Sequence, residues 1–421
     1  MKQYDAKKIL NIALAGHSGC GKTSVAESIL YLAKASDRLG KVADGNTTLD
    51  FDSEEIKRQT SIMTAVAPIE WKGTKINIID TPGLFDFAGG VAEGMRAADT
   101  AVIVVSGKDG VNVGTEKAVE AADKAGLTKV FFVNGLCDED ARFYRVFENL
   151  KSTFGPSVCP VVVPYIVDGQ ANTYVNLFDY KAYEYGPNGA VKPTALPDMG
   201  DRLEGLREAI KEAVAETSEE LLDKFIMGEE FTPEEIVLGV SQGVKDGSIC
   251  PVFCGDAHNT FAIDMFLNSL VWLAPKADSK SEYGVDPNGD PVEVSVNGDG
   301  AAAAVVFKTV SDPFVGKLSY VKVVSGKISS DVPVIDMRTG EAVRITKVLT
   351  VRGKKQEDTP FIGAGDIGAI PKLADVKTGD TLCSPLRKVT LDGVEYPVSS
   401  YAMAIKPKTK GDEDKVAQAV K

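Results

Sequence analysis

Histidine is scarce in this chain, with two copies in 421 residues, and the six cysteines show no pairing pattern. They stand at 20, 137, 159, 250, 254 and 383; Cys250 and Cys254 are four apart but fall within an apparent strand. With two histidines to complete a site, a zinc centre is not expected, and the thiols read as reduced, mostly buried side chains of a cytoplasmic protein. Long apolar runs are missing too. None approaches the roughly 20 residues that span a bilayer, so Thr100–Ser106 and Val130–Val133 read as buried strands and no membrane partner is expected. The lysines near the N-terminus precede no small-residue cleavage site, which argues against a signal peptide. Basic residues are outnumbered, 47 Lys and Arg against 60 Asp and Glu, for a net charge of −13. Taken alone, that total opposes nucleic-acid binding, although it says nothing about a local patch. No internal repeat or low-complexity tract occurs.

What is present begins with Gly16-His17-Ser18-Gly19-Cys20-Gly21-Lys22-Thr23, a G-x-x-x-x-G-K-[ST] pattern. The run Ile9–Ala15 before it reads as a buried strand and Ser24–Ala35 after it as a helix, the context in which this pattern forms a phosphate-binding loop. The glycines let backbone N–H groups point at phosphate oxygens, and the helix adds its positive N-terminal end. Lys22 would reach the β- and γ-phosphates, and the Thr23 hydroxyl would coordinate Mg²⁺. A second phosphate motif, Asp80-Thr81-Pro82-Gly83, closes the apolar strand Lys75–Asp80. Asp80 can hold Mg²⁺ through water while the Gly83 N–H meets a γ-phosphate, so the presence of one phosphate moves a whole loop.

The length fits two to three domains, and 44% hydrophobic with 25% charged residues is an ordinary globular composition. From residue 9 to about 275, strand-like runs (Ile9–Ala15, Met63–Trp71, Lys75–Asp80, Thr100–Ser106, Lys129–Asn134, Val158–Val163, Ile249–Cys254) alternate with helical ones. This predicts an α/β fold with a mostly parallel sheet covered on both faces. Met63–Trp71 and Lys75–Asp80 are joined by Lys72-Gly73-Thr74 alone, so they form an antiparallel hairpin, a feature of the GTPase branch of P-loop proteins. The boundaries expected are a P-loop domain over 1–278 with an insertion at about 164–248, a linker over 279–300, a β-barrel over 301–398, and over 399–421 the start of a third domain that is cut short. Within that last segment Ser399–Ile405 reads as a strand and Asp412–Lys421 as a helix.

With these motifs in place, the chain resembles elongation factor G, the ribosomal translocase family, and its paralogous and ribosome-protection relatives. The likeness is carried by Asn-Ile-Ala-Leu-Ala-Gly-His (11–17), Ile-Asn-Ile-Ile-Asp-Thr-Pro-Gly (76–83), Phe-Tyr-Arg-Val-Phe-Glu (143–148), Lys-Phe-Ile-Met-Gly-Glu-Glu-Phe-Thr (224–232), Ser-Asp-Pro-Phe-Val-Gly-Lys-Leu (311–318) and Thr-Gly-Asp-Thr-Leu-Cys (378–383). It implies a GTP-binding domain with a helical insert, a β-barrel domain, GTP or GDP with Mg²⁺ as ligands, and the ribosome as partner of the intact protein. A monomer is expected, and the chain reads as the N-terminal part of a longer protein.

Four departures from the family pattern stand out. The family's water-orienting His after the second phosphate motif is replaced by Leu84, so hydrolysis by Lys22, Gly83 and the loop alone is expected to be slow; His17 is no substitute. The family's guanine motif Asn-Lys-x-Asp reads Asn134-Gly135-Leu136-Cys137, which leaves the guanine N–H donors without their carboxylate; Asp138 lies one residue on. Its last guanine motif reads Cys254-Gly255-Asp256-Ala257, and the Asp256 carboxylate is the candidate to stand in for what Cys137 lacks. Ser61 stands where the family places its Mg²⁺-binding Thr, with Thr60 adjacent. The resulting expectation is an elongation factor G-type GTP-binding translation factor with weak intrinsic hydrolysis. The alternatives are a hydrolysis-impaired ribosome-binding regulator or protection factor, and an NTPase with relaxed base specificity. Lys317, Lys322, Lys327, Arg352, Lys354 and Lys355 form either an RNA-facing patch or a solvated barrel face.

Overall fold

A computed structural model describes residues 1–421 apart from 168, 187–188, 313–315, 400 and 421. Pro313-Phe314-Val315 of the segment 311–318, and Ser400 of the expected strand 399–405, therefore lie outside the described residues.

The chain begins β1 (Ile9–Ala15), α1 (Lys22–Leu32), α2 (Ser53–Arg58), β2 (Ala65–Trp71), β3 (Thr74–Asp80), α3 (Ala88–Ala97), β4 (Thr100–Ser106), α4 (Val113–Lys124), β5 (Thr128–Asn134) and α5 (Phe143–Phe154). It continues β6 (Val158–Pro160), β7 (Val162–Val167), β8 (Gln170–Asn176), β9 (Lys181–Tyr185), β10 (Val191–Thr194), α6 (Asp201–Ala215), α7 (Glu219–Ile226), α8 (Pro233–Asp246), β11 (Cys250–Cys254) and α9 (Ile263–Leu273). Seven strands form one sheet in the order β2-β3-β1-β4-β5-β11-β6. All its pairings are parallel except β2 with β3. The apolar runs explain the placement: all seven residues of β1 are buried and Val102–Val105 are closed to solvent, which requires helices on both faces. Trp71 pairs directly with Thr74, so the hairpin turn is Lys72-Gly73, with φ of 44° and 77°. Thr74 belongs to the strand rather than to the link, because a two-residue turn of this hand matches the twist of the strands.

The expected strand Val158–Val163 divides. Val158–Pro160 pairs with β11, whereas Val162–Val167 leaves the main sheet and pairs with β8. It thereby starts an antiparallel sheet, β10-β9-β8-β7, inside the insertion, ahead of α6, α7 and α8. The stretch 279–300 holds a hairpin, Glu282–Val285 with Pro291–Val294, and its first strand also pairs with Thr390–Leu391. Residues 401–405 carry no strand, while Glu413–Val420 is helical.

The second domain is an eight-stranded antiparallel sheet around the long hairpin Ala303–Asp312 and Gly316–Ser325. Alternation sorts its residues. Ala304, Val306, Val321 and Val323 face one cluster, whereas Ala303, Val305 and Val324 face another. Phe307, Leu318, Tyr320, Leu349 and Ile367 join instead the core of the first domain, so apolar packing is continuous across the junction.

Candidate nucleotide-binding site

The site forms where β1, β3, β5 and β11 end. Residues 16–21 connect β1 to α1, with Gly16 and Cys20 buried, His17, Ser18 and Gly21 half-buried, and Gly19 exposed. Gly21 has φ 90°, and a Cβ there would stand 2.2 Å from Asn134 Nδ2, so the turn into α1 requires glycine on both counts. Lys22 lies across the loop and donates to the carbonyls of Gly16 (3.1 Å) and His17 (2.9 Å). Gly83 packs against Ser18 and Lys22 Nζ, which brings the two phosphate motifs into contact.

Four oxygen-bearing side chains gather beside Lys22. Thr23 Oγ1 donates to Asp80 Oδ2 at 2.7 Å and lies 3.1 Å from Ser61 Oγ, so Ser61, rather than Thr60, is the hydroxyl brought to Thr23. The fourth is Asp50, whose carboxylate lies close enough to Ser61 and Lys22 to feel both and whose charge raises Asp80; its role was missed in the sequence. Burial, with the Asp50 charge second, pushes Asp80 up to about 8, and burial likewise pushes Asp50 up to about 6. Asp80 Oδ1 and Asp50 Oδ2 are buried without a hydrogen-bond partner among the described residues. Hydroxyl and carboxylate oxygens are the donors Mg²⁺ prefers, and two orphaned carboxylate oxygens with raised affinity for positive charge fit that ion.

The loop that carries Ser61 is tied down by two buried carboxylates that the sequence reading also missed. Glu27 of α1 accepts from Thr48 N, Thr48 Oγ1 and Leu49 N. Glu55 of α2 accepts from Ile62 N and Met63 N at 3.0 Å, and from Asp52 N. The signal for the second was the capping box Asp52-Ser53-Glu54-Glu55.

The loops after β5 and β11 meet at Asn134, which donates to the Cys20 carbonyl (3.1 Å) and accepts from Ala257 N (3.0 Å). Cys137 N donates to Asp256 Oδ2 at 3.1 Å, so the two substituted positions of the guanine motifs are neighbours in space. Asp256 Oδ1 accepts from Asn259 N and Nδ2. Three bonds are thus made, leaving at most one of a carboxylate's four acceptor positions, with the Cys137 thiol close beside it. Cys137 is exposed, but desolvation of its thiol and the Asp256 charge push it up to about 12, so it stays protonated. Asp138 is exposed, and Gly135 leaves no side chain over the loop. Leu84 is 38% exposed and carries no polar atom. His17 instead meets Phe85 edge-on, with ring centroids 6.0 Å apart.

The suspected basic patch is not one surface. Lys322 is buried, paired with Asp99 (2.7 Å) and Glu282 (3.1 Å), and Arg352 is spent on carbonyls of the first domain. Among the described residues no helix is long and apolar enough to cross a membrane.

A parallel sheet with a phosphate loop, an Asp-x-x-Gly strand end and an antiparallel edge hairpin defines a P-loop domain of the GTPase type. The family model described as Elongation factor Tu GTP binding domain matches residues 7–276, and that described as Elongation factor G domain 2 matches residues 301–385. A crystal structure of a protein from Thermus thermophilus is similar at 29% identity and a TM-score of 0.82, over 98% of this chain and 60% of that one. The chain belongs to the elongation factor G-like translational GTPases, a family that binds guanine nucleotide.

Proposed function

We propose that this chain is the nucleotide-handling part of a translation factor that binds GTP with Mg²⁺, engages the ribosome in that state and hydrolyses GTP slowly when alone. The observation that carries the reading is the meeting of Thr23, Ser61, Asp80 and Asp50 beside Lys22. These residues would hold Mg²⁺, which when bound neutralises phosphate charge. Lys22 and the loop N–H groups would hold the phosphates, and Asn134 would fix the loops that face the base. One free position on Asp256 would accept one guanine N–H, giving reduced but real selection against adenine. A second reading, a ribosome-binding regulator that does not turn over, is favoured by Leu84, which can neither donate nor accept a hydrogen bond. Relaxed base specificity is favoured by Gly135 and Cys137.

The test is GTP hydrolysis with and without purified ribosomes. Slow release of phosphate alone and many turnovers with ribosomes are expected. Binding to ribosomes without turnover would replace the enzyme by the regulator, and no effect of ribosomes would remove both.

A further inference from the structure

Lys308 is a buried lysine that nothing above uses. It sits on the strand Ala303–Asp312, 6% exposed, with its amine 5.6 Å over the Tyr320 ring. Its Nζ donates to the main-chain carbonyl of Thr64, which lies in the first domain at the end of the loop carrying Ser61. Glu93 of α3 and Glu55 of α2 supply the favourable charge. Burying an ammonium is costly unless its partners need it there.

What those partners share is the loop carrying Ser61. Ile62 and Met63 are held by Glu55, and Thr64 by Lys308, so Ser61 is fixed by the three residues that follow it. Thr64 Oγ1 donates to the Gly90 carbonyl of α3, which links this loop to the helix after the second phosphate motif. The second domain touches the same loop elsewhere. Arg352 donates to the Ala35 carbonyl (2.9 Å) at its start and to the Pro68 carbonyl (3.3 Å) beyond its end. Gly353 N donates to the Val66 carbonyl at 2.9 Å. Gly353 has φ 53°, and a Cβ there would stand 2.0 Å from the Thr48 carbonyl oxygen, so only glycine allows this approach.

We propose that Lys308 and the Arg352-Gly353 tip are positioning residues through which the second domain holds the Ser61 loop closed, making binding of the Mg²⁺–triphosphate depend on docking of that domain. This rests on the nucleotide reading above. A diphosphate has no third phosphate for the closed loop to meet, so its binding depends on the docking far less. Coupling between sites of this kind is worth about 5- to 150-fold in affinity.

The test compares the wild-type chain with Lys308→Met, Lys308→Arg and Gly353→Ala. Calorimetry with Mg²⁺ measures GDP and a non-hydrolysable GTP analogue. Trypsin cleavage after the exposed Lys57 and Arg58 measures loop opening without nucleotide. Lys308→Met and Gly353→Ala are expected to weaken the analogue about tenfold or more, to leave GDP within about threefold, and to speed cleavage. Lys308→Arg, which keeps a charged donor, is expected to restore protection. Equal losses for both ligands, or unchanged cleavage in correctly folded variants, would overturn the proposal. If the wild type bound neither ligand, the nucleotide reading would fail. The trypsin comparison would still decide the clamp, faster cleavage supporting it and unchanged cleavage overturning it.

Discussion

Leu84 directly follows Gly83 and opens the short turn Phe85–Phe87, with its side chain partly in solvent. On the nucleotide reading proposed above, a water at the third phosphate would meet hydrocarbon at that position. Orienting or proton-accepting groups contribute roughly 10²–10⁴-fold. Leu84→His is accordingly expected to raise ribosome-stimulated kcat by about tenfold or more while GDP affinity stays put; an unchanged kcat in a variant that binds GTP normally would show that another group orients the water. On the base side, Asp256 has one acceptor position left beside Cys137 N. Asp256→Ser is expected to weaken GDP more than ADP, by about 1–3 kcal/mol; equal losses would reduce Asp256 to a staple between loops. Much at this scale was legible, because Lys22, Thr23, Asp80 and Asn134 lie in fixed spacings that chemistry imposes. Asp50 was not, since a carboxylate far in sequence from both motifs carries no spacing signal, and its meaning comes only from the orphaned oxygen beside Asp80.

At the scale of elements, the Ser61 loop is held by buried groups that do not all favour the fold equally. Burial pushes the Lys308 amine down to about 8 from its ordinary 10.5, against Glu93, Glu55 and the Tyr320 ring that face it. Between about pH 8 and 10.5 the unfolded chain keeps this proton and the folded chain has lost it. Stability therefore rises with pH across that window. Relative to Lys308→Met, the wild type is expected to gain on the order of 2–3 kcal/mol from pH 8 to pH 10.5, measured by denaturant unfolding. A difference that stays flat or shrinks would mean that Lys308 is not desolvated. Long elements were legible here: α8 announces itself by Thr232 and Pro233 at its start, with the capping box closed by Glu235. The sheet β7–β10 was not, because its strands carry Pro164, Asn172 and Pro193 among the β-formers and β10 is exposed throughout. In the second domain, Ala342–Val343 at the edge of the eight-stranded sheet and Lys327–Ile328, which pairs separately with Ile362–Gly363, are two residues each, too short for any periodicity.

For the whole molecule, the two domains are locked by polar groups as well as apolar ones. Lys75 meets Asp366 at 2.7 Å with both side chains buried. Asn77 donates to Asp366 Oδ1 and to Asn11 Oδ1, and Asn11 donates to Asp99, which also holds Lys322. Arg96 and Lys322 share Glu282 of the hairpin between the domains. Removing one partner of such a pair leaves a buried charge, at a cost of about 3–5 kcal/mol. Asp366→Ala is expected to lower Tm by several degrees or to split one unfolding transition into two; a Tm within a degree of wild type would show that the apolar junction suffices. None of this was readable in advance, because residues 75 and 366 are 291 apart in sequence and carry no spacing signal, and Lys322 looked like a surface charge.

The most direct test of the account is calorimetric binding of GDP and ADP to the purified chain with Mg²⁺. One guanine donor met by Asp256 and one unmet predict GDP tighter than ADP by about tenfold to a hundredfold. Equal affinities, or binding of neither, would contradict a guanine-nucleotide site built on Asn134, Asp256 and Lys22.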